Sequence, residues 1–240
     1  MHLLVFQHID CEHPGQLRSF LAENEVEWTA VALDAGDAIP PLGEFDALWV
    51  MGGPMDVWDV AEHPWLIPEK EAIRRWVREL RRPYLGLCLG HQLLADALGG
   101  TCGPMSPPEI GVLPIELTTE GASDPIFAGV PTSHRALQWH SVEVARPPDD
   151  AIVLASSPAC SVQAMRVGPH AWSMQYHVEV EPDTVANWAQ IPAYRNALET
   201  TLGAGALHEL EADAASDMAS FVEISRHVYD NFMAACRAAA

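Results

Sequence analysis

Cys88 lies in the stretch GLCLGHQLL (Gly86–Leu94), with a glycine two residues to either side. A thiolate can attack an acyl carbon, but it needs a base, and the base needs a group to orient it. A later stretch, QYHVE (Gln175–Glu179), offers both. It follows a strand-like run, and alternate side chains of a strand share a face, so the Glu179 carboxylate can hold the His177 imidazole. Read as G-x-C-x-G, the first stretch has the form of a nucleophile elbow, a tight strand-to-helix turn that lifts its central side chain clear of the sheet. A sulfur there meets the positive end of the helix dipole, which favours the thiolate. The first free N–H groups of the helix can hold an oxyanion. The plainer alternative is a buried structural cysteine, and a chain with eleven histidines always offers one somewhere. Each stretch alone is therefore suggestive, and the pair carries the argument.

The elbow requires a strand before it and a helix after it. Tyr84–Leu87 is a short apolar run, and His91–Leu98 carries Leu93, Leu94, Ala97 and Leu98 before Gly99-Gly100. Upstream, strand and helix signals alternate. Leu3–Phe6, Trp28–Leu33 and Ala47–Met51 are strand-like, and the last of them stops at Gly52-Gly53-Pro54. Gln16–Asn24 holds Leu17, Phe20 and Leu21 at helical spacing. A second helix is predicted from Pro68, with Ile73, Trp76, Val77 and Leu80 as its stripe and Arg81-Arg82-Pro83 as its end. Between Gly111 and Tyr176 the signal becomes short β-rich runs broken by Pro and Gly: Val112–Leu117, Ala151–Ala155, Ser161–Val167 and Ala171–Tyr176. Some of these could run antiparallel. After Glu179 the sequence reads as helical, with Pro182 and Pro192 at helix starts and Leu207–Ala240 as one long helix. The pattern predicts an α/β fold, a mostly parallel central sheet flanked by helices. Residues 1–181 form its domain, and 182–240 form a helical extension packed on it.

The chain of 240 residues carries a formal net charge of −20, a field that repels phosphate backbones and argues against nucleic acid as a partner. Its apolar stretches are too short to span a bilayer, so no membrane association is expected. The N-terminal MHLLVFQHID lacks a basic flank and reads as a first strand, which sets a cytoplasmic expectation. The five cysteines are scattered without a C-x-x-C pair, which argues against a disulfide framework and a zinc site.

Together, GLCLGHQ and QYHVE resemble the class I (triad-type) glutamine amidotransferases, and MGGPMD after the third strand resembles that family's G-G-P loop. The likeness runs from Met1 to about Glu181 and implies a flavodoxin-like fold. It implies Cys88 as nucleophile, His177 as general base and acid, and Glu179 as its orienter. Backbone N–H groups of Gly53 and Leu89 would form the oxyanion hole. Gly52, Gln92, His140, Ser141 and Val142 would contact substrate, with Gln92 meeting its α-amino and carboxylate groups. The segment Trp139–Val142 resembles the second glutamine-binding strand. Neither a metal nor a cofactor is implied. Two departures stand out: Val178 replaces the usual proline between His and Glu, and Trp139 and Ser141 replace residues commonly Asn and Gly.

The implied reaction is hydrolysis of the glutamine side-chain amide to glutamate and ammonia through a γ-glutamyl thioester. No G-x-x-x-x-G-K-[ST] loop occurs, and the tail is too short for a synthetase domain. The chain resembles the separate glutaminase subunit of GMP synthase, which implies a possible synthetase partner receiving ammonia and leaves the acceptor open. A stand-alone γ-glutamyl peptide hydrolase and a non-catalytic partner-binding module are the alternatives. The intracellular proteases of similar architecture lack the downstream H-x-E. For the tail, covering the sheet is the plainest role; a homodimer face and docking of a partner enzyme are the others.

Overall fold

The computed structural model describes residues 1–239; the predicted helix end at Ala240 lies outside them. The chain begins with β1 (His2–Gln7), α1 (Leu17–Glu23), β2 (Glu27–Ala32), β3 (Ala47–Val50) and α2 (Leu66–Arg75). The last turn after α2, Trp76–Leu80, widens to a π-helix and stops at Arg81, whose φ of 54° is left-handed. β4 (Tyr84–Leu87) and α3 (Leu89–Ala97) follow, then β5 (Thr101–Leu117), α4 (Thr119–Ser123) and β6 (Ser133–Arg146). β7 (Ala151–Ser156), β8 (Ala164–Val167) and β9 (Ala171–Met174) complete the sheet, and α5 (Thr184–Trp188), α6 (Pro192–Leu202) and α7 (Ala206–Ala239) form the tail.

The nine strands lie in the order β2-β1-β3-β4-β9-β8-β7-β5-β6. This corrects the expectation of a mostly parallel sheet: it is mixed. The pairings β1–β2, β1–β3, β3–β4 and β4–β9 are parallel. The pairings β5–β6, β5–β7, β7–β8 and β8–β9 are antiparallel. β1 and β2, and β3 and β4, are joined through α1 and α2, which return the chain in the same direction, whereas β7–β8 and β8–β9 are joined by short connections that reverse it. β5 also begins eleven residues before the expected Val112, because Pro104, Pro107 and Pro108 hide its first half. Those prolines sit where the β5–β6 register is interrupted, between Pro104 and Glu109.

Alternation along the central strands divides the core into two layers. Leu3, Val5 and Trp49 face α1 and the second half of α7, where Val228, Tyr229, Phe232 and Met233 are buried. Leu4, Phe6, Leu48 and Val50 face α2 and α3 through Ile73, Trp76, Leu93 and Leu94. Each such side chain contributes roughly 1.5–3 kcal/mol on burial. A third cluster joins Ile110, Val112, Leu137 and Trp139 to Trp188, Tyr194, Leu198 and Leu210, so the tail also packs on the long β5–β6 hairpin. No helix among the described residues is long and apolar enough to cross a membrane.

Candidate active site

Cys88 sits between β4 and α3 with φ 49° and ψ −103°, a conformation that costs a non-glycine residue about 1–3 kcal/mol. The surrounding contacts hold it there. Its N–H donates to the Met174 carbonyl at 2.9 Å, and the Gly90 N–H donates to the Met51 carbonyl at 3.1 Å. The flanking glycines are required by close approach. A Cβ on Gly90 would lie 2.1 Å from the Val50 carbonyl oxygen, and one on Gly86 would lie 2.5 Å from that of Gly90. Leu89 opens α3, so its N–H belongs to the unpaired first turn. Gly53, just past β3, lies against the Leu89 side chain.

The structure brings His177 and Glu179 to this turn. Nδ1 of His177 lies 2.7 Å from Oε1 of Glu179, with both side chains buried. A carboxylate only accepts, so Nδ1 carries the proton and Nε2 is directed to the sulfur side. Burial disfavours the charged ring, but the Glu179 charge, the Cys88 sulfur and the hydrogen bonds outweigh it and raise the imidazole's proton affinity well above the ordinary range. The buried Nε2 atom makes no hydrogen bond within the protein, which leaves it free to exchange a proton at the sulfur. The strand predicted to carry these residues ends at Met174. His177 is instead pinned by one bridge to Leu137, and the backbone of Glu179 accepts from the Gln16 N–H at 2.8 Å. Trp188 stands edge-on to the imidazole at 4.4 Å between ring centroids.

A cleft opens onto Cys88. Its walls are Gly53 and Met55, Leu89 and Gln92, Trp139–Val142 of β6, and Ala193, Tyr194 and Ala197 of α6. The expected contacts Gln92, His140, Ser141 and Val142 all border it, whereas Gly52 is absent from that lining and packs against the Glu12 carboxyl. Gln92 is already engaged: its Nε2 donates to the Val142 carbonyl and to Oε1 of Gln175, each at 3.2 Å. Gln175 in turn reaches the Cys88 sulfur at 3.7 Å. His140 places Nδ1 3.0 Å from the Val142 carbonyl and Nε2 3.2 Å from Glu109. Burial alone would raise the Glu109 carboxyl, but the neighbouring His140 and hydrogen bonds from Ser157 and Gln163 hold it below its usual range.

Glu12 and Tyr194, which are 182 positions apart, carry no motif that pairs them in the linear chain. The Tyr194 hydroxyl donates to Oε1 of Glu12, both groups buried. One ligand-type atom from each of Glu12, His177 and Glu179 lies within 4.8 Å of the others. Burial, reinforced by the Glu179 charge, pushes the Glu12 carboxyl up, although His177 and Tyr194 pull the other way. A raised carboxyl tied to a phenol and an imidazole tied to a carboxylate suit proton handling better than cation binding. The remaining cysteines hold their protons more tightly than a free thiol does. Burial pushes the thiols of Cys102, Cys160 and Cys236 up to about 12 and that of Cys11 up to about 11.

Comparison with known proteins points the same way. The family model for class-I glutamine amidotransferases matches residues 8–187. A glutamine-hydrolysing GMP synthase subunit from Sulfolobus acidocaldarius is 35% identical over 153 residues, covering 63% of this chain and 77% of the relative. A glutamine amidotransferase structure from Methylobacillus flagellatus superposes with a TM-score of 0.84 at 25% identity, covering 97% of this chain and 94% of that one. Another from Thermotoga maritima shares the fold with a TM-score of 0.85 at 24% identity and 97% coverage of both chains.

Proposed function

We propose that this chain, which belongs to the class-I glutamine amidotransferase family, hydrolyses the side-chain amide of glutamine with Cys88, His177 and Glu179 as its catalytic triad. The observation that carries the reading is the hydrogen-bonded His177–Glu179 pair directed at the sulfur of a strained elbow. The Cys88 thiolate attacks the amide carbon. The carbonyl oxygen becomes an oxyanion that accepts from the N–H groups of Gly53 and Leu89. Protonated His177 gives its proton to the departing ammonia as the C–N bond breaks, leaving a γ-glutamyl thioester. His177 then takes a proton from water, which attacks the thioester. Collapse of that second tetrahedral species frees glutamate and returns the thiolate.

Gln92 and the β6 segment His140–Val142 form the substrate wall in this reading. Ammonia acceptance by a separate synthetase chain is suggested by the likeness to a subunit of GMP synthase. In this reading the enzyme is cytoplasmic, with 1–181 as its amidotransferase domain and 182–240 as an extension of that domain.

The test is glutamate and ammonia release by the purified chain, supplied with glutamine or with γ-glutamyl dipeptides, beside Cys88→Ala. Cys88-dependent release from glutamine is expected. Release from the dipeptides alone would replace the glutaminase reading with a γ-glutamyl hydrolase, and no release from either would overturn both.

A further inference from the structure

The His8–Glu69 pair is a buried acid–base pair that the reaction above does not use. His8, at the end of β1, is 1% exposed, and Glu69, in α2, is fully buried. Nε2 of His8 lies 2.8 Å from Oε1 of Glu69, and Nδ1 lies 2.8 Å from the Gly52 carbonyl oxygen. A carbonyl can only accept, so Nδ1 carries a proton, and Nε2 donates to the carboxylate. The Gly52 C=O and the Gly53 N–H are two ends of one planar peptide, pointing in opposite directions. Gripping the oxygen from behind therefore fixes where the N–H points, and polarises it.

We propose that His8, held by Glu69, is a positioning residue that locks the Gly52–Gly53 peptide with its N–H turned toward the oxyanion formed at Cys88. The inference rests on the glutaminase reading of the site. Gly52 and Gly53 have no side chain to restrain this peptide, and their surroundings exclude one. A Cβ on Gly53 would lie 2.7 Å from the Met55 sulfur and 2.9 Å from the His8 Cβ, and one on Gly52 would lie 2.4 Å from Oε2 of Glu12. Trp65 stacks on the His8 ring at 5.4 Å and 14°, which keeps the imidazole in the plane that reaches both partners. Burial opposes charge on His8, but the Glu69 charge and the two hydrogen bonds prevail, so its proton affinity is raised. The ring thus stays a donor at Nδ1.

The test compares wild type, His8→Leu, His8→Asn and Glu69→Gln. His8→Leu removes the grip; His8→Asn restores a donor near the Nδ1 position without reaching Glu69. The expected result is a kcat about 100-fold lower in His8→Leu with KM within about 3-fold, since an oxyanion donor acts in the transition state alone. His8→Asn should recover at least about 10-fold of that loss, with Glu69→Gln between wild type and His8→Leu. Affinity for glutamate γ-semialdehyde, which forms a tetrahedral adduct with the thiol, should fall in parallel with kcat. A folded His8→Leu protein with wild-type kcat overturns the proposal, as does a loss that His8→Asn fails to restore. If wild type itself shows no Cys88-dependent turnover, the glutaminase reading fails separately. The Gly53 amide resonance then decides the peptide's restraint: it should shift or split in His8→Leu and return in His8→Asn, and an unmoved resonance overturns the lock.

Discussion

The two sides of the cleft are built differently. On the parallel side, Cys88, Leu89 and Gly53 follow directly after β4 and β3, and the Cys88 turn is held by backbone bonds to Met174 and from Gly90 to Met51. On the opposite side, Trp139–Val142 and Tyr194 come from an antiparallel hairpin and from a helix in the tail. The parallel side has almost no slack, because backbone meets backbone at Gly86 and Gly90. The opposite side rests on packed aromatic rings, with Trp139, Trp188 and Tyr194 having centroids 5.8–6.0 Å apart. Chemistry should therefore be lost abruptly on the first side, and substrate binding adjusted gradually on the second.

The most severe challenge to that contrast is Cys88→Ala. Turnover should fall by about 10⁴-fold or more while the melting temperature stays within a few degrees, whereas alanine at Cys102, Cys160 or Cys236 should leave the chemistry intact. Labelling of Cys102 or Cys160 by a reactive glutamine analogue would move the nucleophile elsewhere. Next comes His177→Ala, expected to lose about 10³-fold or more in kcat, against a smaller loss for Glu179→Gln, which keeps the base and loses its orientation. Circular dichroism on both variants separates lost chemistry from lost structure.

Gly90→Ala probes the steric half of the contrast. With Val50 backbone at 2.1 Å from the new Cβ, the elbow must shift, and we expect destabilisation of about 3 kcal/mol together with loss of activity. Tolerance of alanine in denaturant titration and assay would show that the parallel side has slack after all. On the opposite side, Tyr194→Phe keeps the ring and frees Glu12, so KM for glutamine should rise about 2–10-fold with a lesser change in kcat. A fall in kcat alone would place the Glu12–Tyr194 pair in the chemistry instead.

The last prediction concerns pH. His91 is buried, with Nδ1 2.8 Å from the Ser173 hydroxyl and Nε2 3.1 Å from the Val162 carbonyl, and burial lowers it to about 3. An unfolded histidine titrates near 6.5, so the unfolded state binds the extra proton between pH 6.5 and 3. Stability from the neutral ring is present above pH 6.5 and is lost as pH falls through that window, by up to about 1.4 kcal/mol per pH unit. His91→Gln should flatten this slope in denaturant titrations at pH 6.5 and 5; an unchanged slope would assign acid sensitivity to other groups.

The elbow was legible because its demands are local: small residues two positions from the nucleophile, an apolar strand before it and an amphipathic helix after it. The His177–Glu179 pair was legible by spacing, although the strand argued for it stops at Met174 and a long-range bridge to Leu137 holds His177 in place. The early strands and helices announced themselves by periodicity. The first half of β5 did not, because its prolines occupy an interruption in the register that no linear pattern shows.

The order of residues alone is enough to point to the candidate nucleophile, its turn and the alternating first half of the fold, since these depend on contacts between near neighbours. Packing in three dimensions was needed to make half the strand pairings antiparallel, to bring α6 to the wall of the cleft, and to pair His8 with Glu69 and Glu12 with Tyr194. Those residues are polar, lack a shared period and lie far apart in the chain. Their partners are chosen by burial, which leaves each charged or hydrogen-bonding group in need of another, and burial is settled only when the whole chain has packed.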